Sequence, residues 1–177
     1  MNFLSFADLV AGVLALVCLT SSVMWGTLST SEWVLQPRHR VAAQGMHRIF
    51  SVAGLEFLGL HIWVKVYEGS VGVIGAAIPF SGGRTNLLVS LGILAAYGFV
   101  VTVISGVLRR WFAARSRRPA WWRVLHGTSY CAWGAALVHG LYAGRAAASW
   151  VMGMYQASLT AVAIVVIIRW WAAVRRR

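Results

Sequence analysis

The sequence predicts an all-α membrane protein, a bundle of five transmembrane helices that forms a single domain over residues 1–177. Of its 177 residues, 59% are hydrophobic and only 11% are charged, which is typical of a membrane protein and not of a soluble domain. A helix needs about 20 mainly apolar residues to cross a bilayer. Five stretches meet this requirement, at approximately residues 4–28, 41–66, 87–108, 124–142 and 150–168.

The positive charges predict how this bundle is oriented. If the loops alternate between the two sides of five spans, all but three of the sixteen Lys and Arg residues fall on one side. Loops rich in Lys and Arg stay in the cytoplasm. We therefore expect the N-terminus on the outer side of the cell membrane and the C-terminus in the cytoplasm. The net charge of +12 then reflects topology and contact with anionic membrane lipid, and we expect no nucleic-acid partner.

Of the first three spans, only span two carries candidate ligands. Span one is apolar and has small residues such as Gly12, which let helices approach closely, so packing is its expected role. Pro37 suits the first turn of the second helix, which carries His47 and His61. The apolar stretch 71–80 is too short to cross and is predicted to be interfacial or re-entrant. Span three has no candidate ligand.

Of the last two spans, only span four carries candidate ligands. Span four carries His126 and His139, after a strongly basic cytoplasmic loop. Span five has no candidate ligand, and its inner end carries Trp170 and Trp171, an aromatic pair typical of the membrane interface.

The spacing of the four histidines indicates haem. His47 and His61 are 14 residues apart and His126 and His139 are 13 apart, so each pair spans roughly 20 Å of helix. Two imidazoles that far apart cannot share an ion whose bonds are about 2 Å long. If spans two and four run side by side and parallel, the rings meet as two pairs at two depths. A porphyrin asks the protein only for axial ligands, and without a Cys-x-x-Cys-His motif the cofactors are predicted to be two haem b groups.

The alternative interpretation is that these histidines are hydrogen-bonded packing residues or handle protons. Ionisable side chains inside membrane spans are costly and tend to be functional, and four of the five histidines lie in just two spans, which favours haem ligation. The 13-residue spacing turns His126 and His139 about 140° apart on a straight helix. We therefore expect a π-bulge or bend between them, where Gly127 and Gly134 are available.

Charged side chains near the histidines are candidate partners for haem propionates. Arg48 and Arg123 lie beside the inner histidines, and the outer side offers three cations: Lys65, Arg84 and Arg145. Glu56 lies between the two histidine levels of span two, where a carboxylate is expensive. We expect it to be a neutral, hydrogen-bonded side chain.

The two histidine segments, MHRIF…GLEFLGLHIWV and WWRVLHGTSYCAWGAALVHGLYAG, resemble the paired-histidine helices of the ferric reductase-like transmembrane domain, the family of NADPH oxidases and ferric reductases. The segments IPFSGGR and LLVSLGILAAYGFVVTVISGVLRR are similar to stand-alone actinobacterial members, and the resemblance covers about residues 36–144. It implies that His47 pairs with His126 on the inner haem, and His61 with His139 on the outer haem.

The resemblance also implies a function. Members with their own electron supply continue into a flavin- and NADPH-binding domain, whereas this sequence has no Gly-rich dinucleotide fingerprint. We expect a separate electron donor on the cytoplasmic side, which is a flavoprotein, a quinol or a soluble redox protein. The protein is then a membrane oxidoreductase subunit that passes electrons to an acceptor outside, such as ferric iron, oxygen or another redox protein.

Two other functions remain open at this point. One is a quinol-linked di-haem cytochrome b subunit of a respiratory complex. The other is a non-redox membrane protein whose histidines and Glu56 move protons or metal ions. A reduced-minus-oxidised absorbance spectrum separates the last from both haem hypotheses.

Overall fold

The computed structural model describes residues 3–32, 34–81, 87–115, 120–143 and 149–175, and all their side chains except those of 110–115, 120, 121 and 149. These residues form helices and no strand, so the all-α prediction is confirmed. The helices are α1 (Phe3–Ser29), α2 (Pro37–Tyr67), α3 (Val73–Ala77), α4 (Leu87–Arg115), α5 (Ala120–Ala143) and α6 (Ser149–Val174).

Four of the long helices can cross a membrane by length and composition, namely α1, α2, α4 and α6. Each encloses one predicted span. The fourth predicted span lies in α5, which is 24 residues long but does not reach the same apolarity over its described residues. Its two histidines and the polar run Thr128, Ser129 and Tyr130 lower its hydropathy.

The surfaces of these helices are apolar where they face away from the protein. On α4, for example, Ile104 is 52% exposed and Val107 is 72% exposed, and α6 exposes Ile167 to 60%. Large exposed apolar patches are rare on soluble monomers. Lipid tails are the surroundings in which such side chains carry no cost, so a membrane protein is indicated.

The described residues fall into two compact units. The first contains α1, α2 as far as His61, and α6. In it α6 packs against α1, and its buried residues lie on one helical stripe, as expected for a single packed face: Val151, Ser158, Val162 and Val165. The second unit contains the end of α2, α3, α4 and α5, with α5 packed along α4.

The connection between α1 and α2 is held by polar contacts. Helix α2 begins at Pro37, as predicted. The Nε–H of Arg40 donates to the carbonyl oxygen of Ser29 at 3.1 Å, which satisfies one of the carbonyls left unpaired at the end of α1. Arg40 also lies 3.9 Å from the carboxylate of Glu32. These contacts fix where α2 starts relative to the end of α1.

The short apolar segment after α2 does not cross a membrane. Helix α3 has five residues, and the segment that follows it is tied to α4. The backbone N–H of Phe80 donates to the Oγ of Ser90 at 3.0 Å, and the hydroxyl of Tyr97 donates to the carbonyl oxygen of Ala77. Phe80 has a φ of 64°, which is unfavourable for a bulky side chain, so the bond to fully buried Ser90 holds this turn in place.

Candidate functional site

In the first unit, α1 and α2 form an antiparallel hairpin in which the histidines lie on glycines. Residues seven apart on α1 meet residues seven apart on α2, giving three contacts: Gly26 with His47, Leu19 with Gly54, and Gly12 with His61. A Cβ atom added at Gly26 would lie 3.0 Å from the Nδ1 of His47, and one at Gly12 would lie 3.1 Å from the Nδ1 of His61. The two imidazoles therefore occupy the space that the missing side chains leave.

In the second unit, α4 and α5 repeat this design. A Cβ atom at Gly92 would lie 2.8 Å from the Nδ1 of His139, and one at Gly106 would lie 3.5 Å from the Cε1 of His126. Between them Gly98 faces Ala132, at 2.8 Å from its Cβ to the Cβ that an added side chain would place. In each hairpin one imidazole thus lies against a glycine near each end, and a third glycine, Gly54 or Gly98, makes a close contact in the middle.

The imidazoles of the first hairpin are fixed through Nδ1. The Nδ1–H of His47 donates to the carbonyl oxygen of Ser22 at 2.8 Å. The hydroxyls of Ser22 and Ser51 lie 2.7 Å apart, and Ser51 donates to the carbonyl oxygen of His47 at 2.7 Å. The Nδ1–H of His61 donates to the carbonyl oxygen of Asp8 at 3.2 Å, and the carboxylate Oδ1 of Asp8 lies 2.9 Å from the same nitrogen.

The imidazoles of the second hairpin are fixed through the same atom. The Nδ1–H of His139 donates to the carbonyl oxygen of Leu88 at 2.6 Å. The Nδ1 of His126 lies 3.1 Å from the hydroxyl oxygen of Ser105. That hydroxyl donates its own hydrogen to the carbonyl oxygen of Thr102 at 2.6 Å, so it accepts from His126.

These contacts determine which nitrogen of each ring carries the hydrogen. A carbonyl oxygen only accepts, so Nδ1 must be the protonated nitrogen in His47, His61 and His139. In His126 Nδ1 is also the protonated nitrogen, because the hydrogen of the Ser105 hydroxyl is already donated to Thr102 and its oxygen can only accept from the ring. A neutral imidazole protonated at Nδ1 has its lone pair at Nε2. All four rings are therefore in the tautomer that a metal-ligating histidine has when its other nitrogen donates to the protein.

The four anchoring contacts share one register. The carbonyl that holds each ring, directly or through Ser105, belongs to the residue four positions before the glycine on which that ring lies. The pairs are Asp8 with Gly12, Ser22 with Gly26, Leu88 with Gly92, and Thr102 with Gly106. The two hairpins are thus built on the same plan.

An aromatic side chain supports His126. The indole of Trp122 is stacked on the imidazole, with ring centroids 5.1 Å apart and planes 16° apart. Its Nε1–H donates to the carbonyl oxygen of Ser105 at 2.9 Å, and the guanidinium of Arg109 lies 5.2 Å from the ring centroid. Trp122 therefore fastens the start of α5 to the end of α4 and fixes the plane of the His126 ring.

The donor set fits a porphyrin better than a metal ion held by protein alone. Among the described residues there is no group of three or more His, Cys, Asp or Glu side chains that could hold an ion. A haem iron already has four porphyrin nitrogens and needs only one or two axial ligands. Single imidazoles with a lone pair at Nε2, about 20 Å apart along each helix, suit that requirement.

The charged residues predicted as propionate partners differ in their exposure. Arg48 and Arg123 are exposed, and Lys65 is half-buried. Arg84 and Arg145 lie outside the described residues. Glu56 is exposed on α2, and its expected state as a neutral, hydrogen-bonded side chain stays a prediction. Their roles as propionate partners stay predictions.

Two features of the site differ from what the sequence indicated. The expected π-bulge is absent, because α5 is α-helical from Ala120 to Ala143, and both of its imidazoles reach α4 nevertheless. The anchoring residues on α1 and α4 were not identified, since these helices carry no ligand of their own. The signal for Asp8 was present in the sequence, as an acidic residue inside an otherwise apolar span.

Comparison of the chain with models of known protein families, with curated proteins and with solved structures found no match. The interpretation of the site therefore depends on its residues.

Proposed function

We propose that the protein is a di-haem b electron-transfer protein of the cell membrane, which passes electrons from a cytoplasmic donor to an acceptor outside. The observation that carries the proposal is the common state of the four histidines. Each is fixed through Nδ1–H, so each has the lone pair of Nε2 available as an axial ligand.

His47 and His126 would hold the inner haem, and His61 and His139 would hold the outer haem. The nearly equal spacings of 14 and 13 residues support this pairing, as does the resemblance of the two segments to ferric reductase-like transmembrane domains. When bound, each haem supplies a one-electron Fe(III)/Fe(II) couple. The protein orients the ligands, excludes water from them and sets their basicity through the anchoring carbonyls.

The orientation in the membrane is part of the proposal. Five spans with the N-terminus outside place nearly all of the Arg and Lys residues in the cytoplasm. That basic surface suits an electron donor with an acidic docking face. The donor is a separate flavoprotein, a quinol or a soluble redox protein.

The anchored rings favour this function over a proton or metal-ion pathway. A histidine that relays protons exchanges hydrogens at both ring nitrogens, whereas here one nitrogen of each ring is held against a carbonyl or a committed hydroxyl. An ion pathway also needs several ligands at one level, and the described residues hold no such cluster.

The haem content of the purified protein tests the proposal. We expect b-type bands in the reduced-minus-oxidised spectrum and two haems per chain. His61→Ala and His139→Ala should each leave one haem, and His47→Ala and His126→Ala should each leave the other. His39→Ala is the matched control, because His39 is exposed and should retain both haems. Absence of b-type bands, or two haems in all four variants, would overturn the ligand assignment.

Conduction is measured on the same proteins in liposomes that enclose ferricyanide. Dithionite added outside should reduce the enclosed ferricyanide when both haems are present. His139→Ala should block this reaction while it retains the inner haem. Equal rates for the wild type and His139→Ala would show that electrons do not cross through the two sites.

A further inference from the structure

Asp8 differs from the other acidic residues of the protein. The chain has four Asp and Glu residues in all. The side chain of Asp8 is only 6% exposed, whereas Glu32 and Glu56 are exposed. Asp8 lies in α1, which is apolar enough to cross a membrane. A carboxylate in such a place is costly and usually has a functional partner.

The partner of Asp8 is the imidazole of His61. Its Oδ1 lies 2.9 Å from Nδ1, and its carbonyl oxygen lies 3.2 Å from the same nitrogen. Gly12, one turn further along α1, leaves the ring room to approach. The carbonyl oxygen of Asp8 therefore accepts the N–H of this ring, and the carboxylate places a negative charge beside the same nitrogen.

The equivalent positions at the other three rings carry no acid. The residues four positions before the glycines under His47, His139 and His126 have a hydroxyl, an isobutyl group and a hydroxyl, respectively: Ser22, Leu88 and Thr102. The repeated plan of the two hairpins thus differs at this one place by a negative charge.

We propose that Asp8 is a positioning residue that lowers the midpoint potential of the haem held by His61. This inference rests on the proposed function. The negative charge of a carboxylate 2.9 Å from Nδ1 polarises the N–H bond, which makes the imidazole a stronger electron donor through Nε2. The same negative charge also stabilises Fe(III), which carries one more positive charge than Fe(II). Hydrogen bonding and charge around the axial ligand are established means of setting a haem potential.

The consequence is an electronic asymmetry between the two levels. A haem held at each level would supply a one-electron couple, with no proton or group transferred. Asp8 would make the haem at the His61 level harder to reduce than it would be beside a neutral residue, and therefore a stronger reductant toward the acceptor once it is reduced.

A redox titration of the full-length, haem-loaded protein tests this. Asp8→Asn keeps the size and an acceptor oxygen but removes the charge, and Asp8→Ser copies the residue at the equivalent position Ser22. Both should raise the midpoint of one of the two titrating components, with about a tenfold change in its reduction equilibrium constant, which is about 59 mV for a one-electron couple. Asp8→Glu, which restores the charge, should lie closer to the wild type than either neutral variant.

Two further proteins assign the component that shifts. In His47→Ala, which retains the haem held by His61, Asp8→Asn should give the same shift. In His139→Ala, which retains the other haem, it should give none. Glu32→Gln is the matched control, because it removes the charge of a carboxylate that is exposed outside the site, and it should leave both midpoints unchanged.

The outcomes distinguish the two proposals. If the wild type binds two haems and neither neutral variant moves a midpoint, the role of Asp8 is refuted while the proposed function stands. A shift of both components by the same amount also refutes it, because that indicates a general structural effect. If the wild type binds no haem, both proposals fail together with the ligand assignment.

Discussion

At the scale of single residues, the site depends as much on missing side chains as on the histidines. Gly92 and Gly106 on α4 lie under His139 and His126, and the closest approach is at Gly92. There an added Cβ would lie 2.8 Å from Nδ1 and 2.9 Å from Cε1 of the ring. The ring cannot move away from an added Cβ without weakening its hydrogen bond to the carbonyl oxygen of Leu88.

We therefore predict that Gly92→Ala displaces the His139 ring and reduces haem binding at that level. Overpacking of this kind costs about 1–3 kcal/mol, and the ring loses its bond to Leu88 as it moves. The measurement is haem content per chain together with the thermal unfolding midpoint.

The matched control is Gly134→Ala on α5, where an added Cβ meets nothing within 4 Å. Because alanine favours helix over glycine by about 1 kcal/mol, this variant should be as stable as the wild type or more so, with two haems. Similar losses in both variants would show that the approach of ring to glycine is not what matters.

The residues that anchor the histidines could not be predicted from the sequence. The four histidines are visible as polar residues in apolar spans, but their anchors lie on other helices. Which carbonyl of α1 meets His47 depends on the register of two helices, and the periodicity of one helix contains no such information. Gly12 was recognised as a small packing residue, whereas its contact with His61 emerges only from the fold.

At the scale of elements, the two helices of each hairpin together fix two imidazole rings. The end of α4 and the start of α5 are joined by Trp122, which bonds to Ser105 and stacks on His126. Ser105 in turn accepts from the same imidazole. One indole therefore supports both the helix junction and the orientation of the ligand.

We predict that Trp122→Leu weakens this junction and the haem site at His126. It removes one hydrogen bond, worth about 1 kcal/mol, and one ring contact, worth about 0.5–1.5 kcal/mol, so we expect a loss of about 2 kcal/mol in stability. Trp122→Phe keeps an aromatic ring and loses the N–H donor, and should fall between Trp122→Leu and the wild type.

The control for this pair is Trp170→Leu, because Trp170 is 66% exposed on α6. Thermal unfolding and haem retention at the His126 level are the measurements. Equal effects of Trp122→Leu and Trp170→Leu would mean that the loss of any tryptophan, and not the junction, is responsible.

The elements themselves were largely predictable. Each of the five apolar stretches lies within one long helix, because length and hydropathy depend only on the local sequence. Of the π-bulge or bend expected in α5, the π-bulge was wrong, since α5 is α-helical from Ala120 to Ala143. Both rings nevertheless lie on glycines of α4, at Gly92 and Gly106.

At the scale of the whole molecule, the number of membrane crossings depends on α5. It is less apolar than the four helices that qualify as spans, but it lies along α4, with contacts from Gly92 to Gly106. Those glycines are 14 residues apart, which is about 21 Å of helix, or two thirds of a hydrocarbon core of about 30 Å. Because α4 is itself a candidate span, we expect a helix that accompanies it over this length to cross as well. The polar rings of α5 are bonded within the hairpin, which reduces the cost of placing them there.

We therefore predict five crossings, with the two ends of the chain on opposite sides of the membrane. In a variant without Cys18 and Cys131, an added cysteine at Asn2 should react with a membrane-impermeant maleimide in intact cells. One at Arg177 should react only after permeabilisation, and so should one at Leu35 in the loop between α1 and α2, which serves as the internal reference. If Arg177→Cys and Asn2→Cys were both labelled from outside, the number of crossings would be even. That result would contradict the prediction of five crossings.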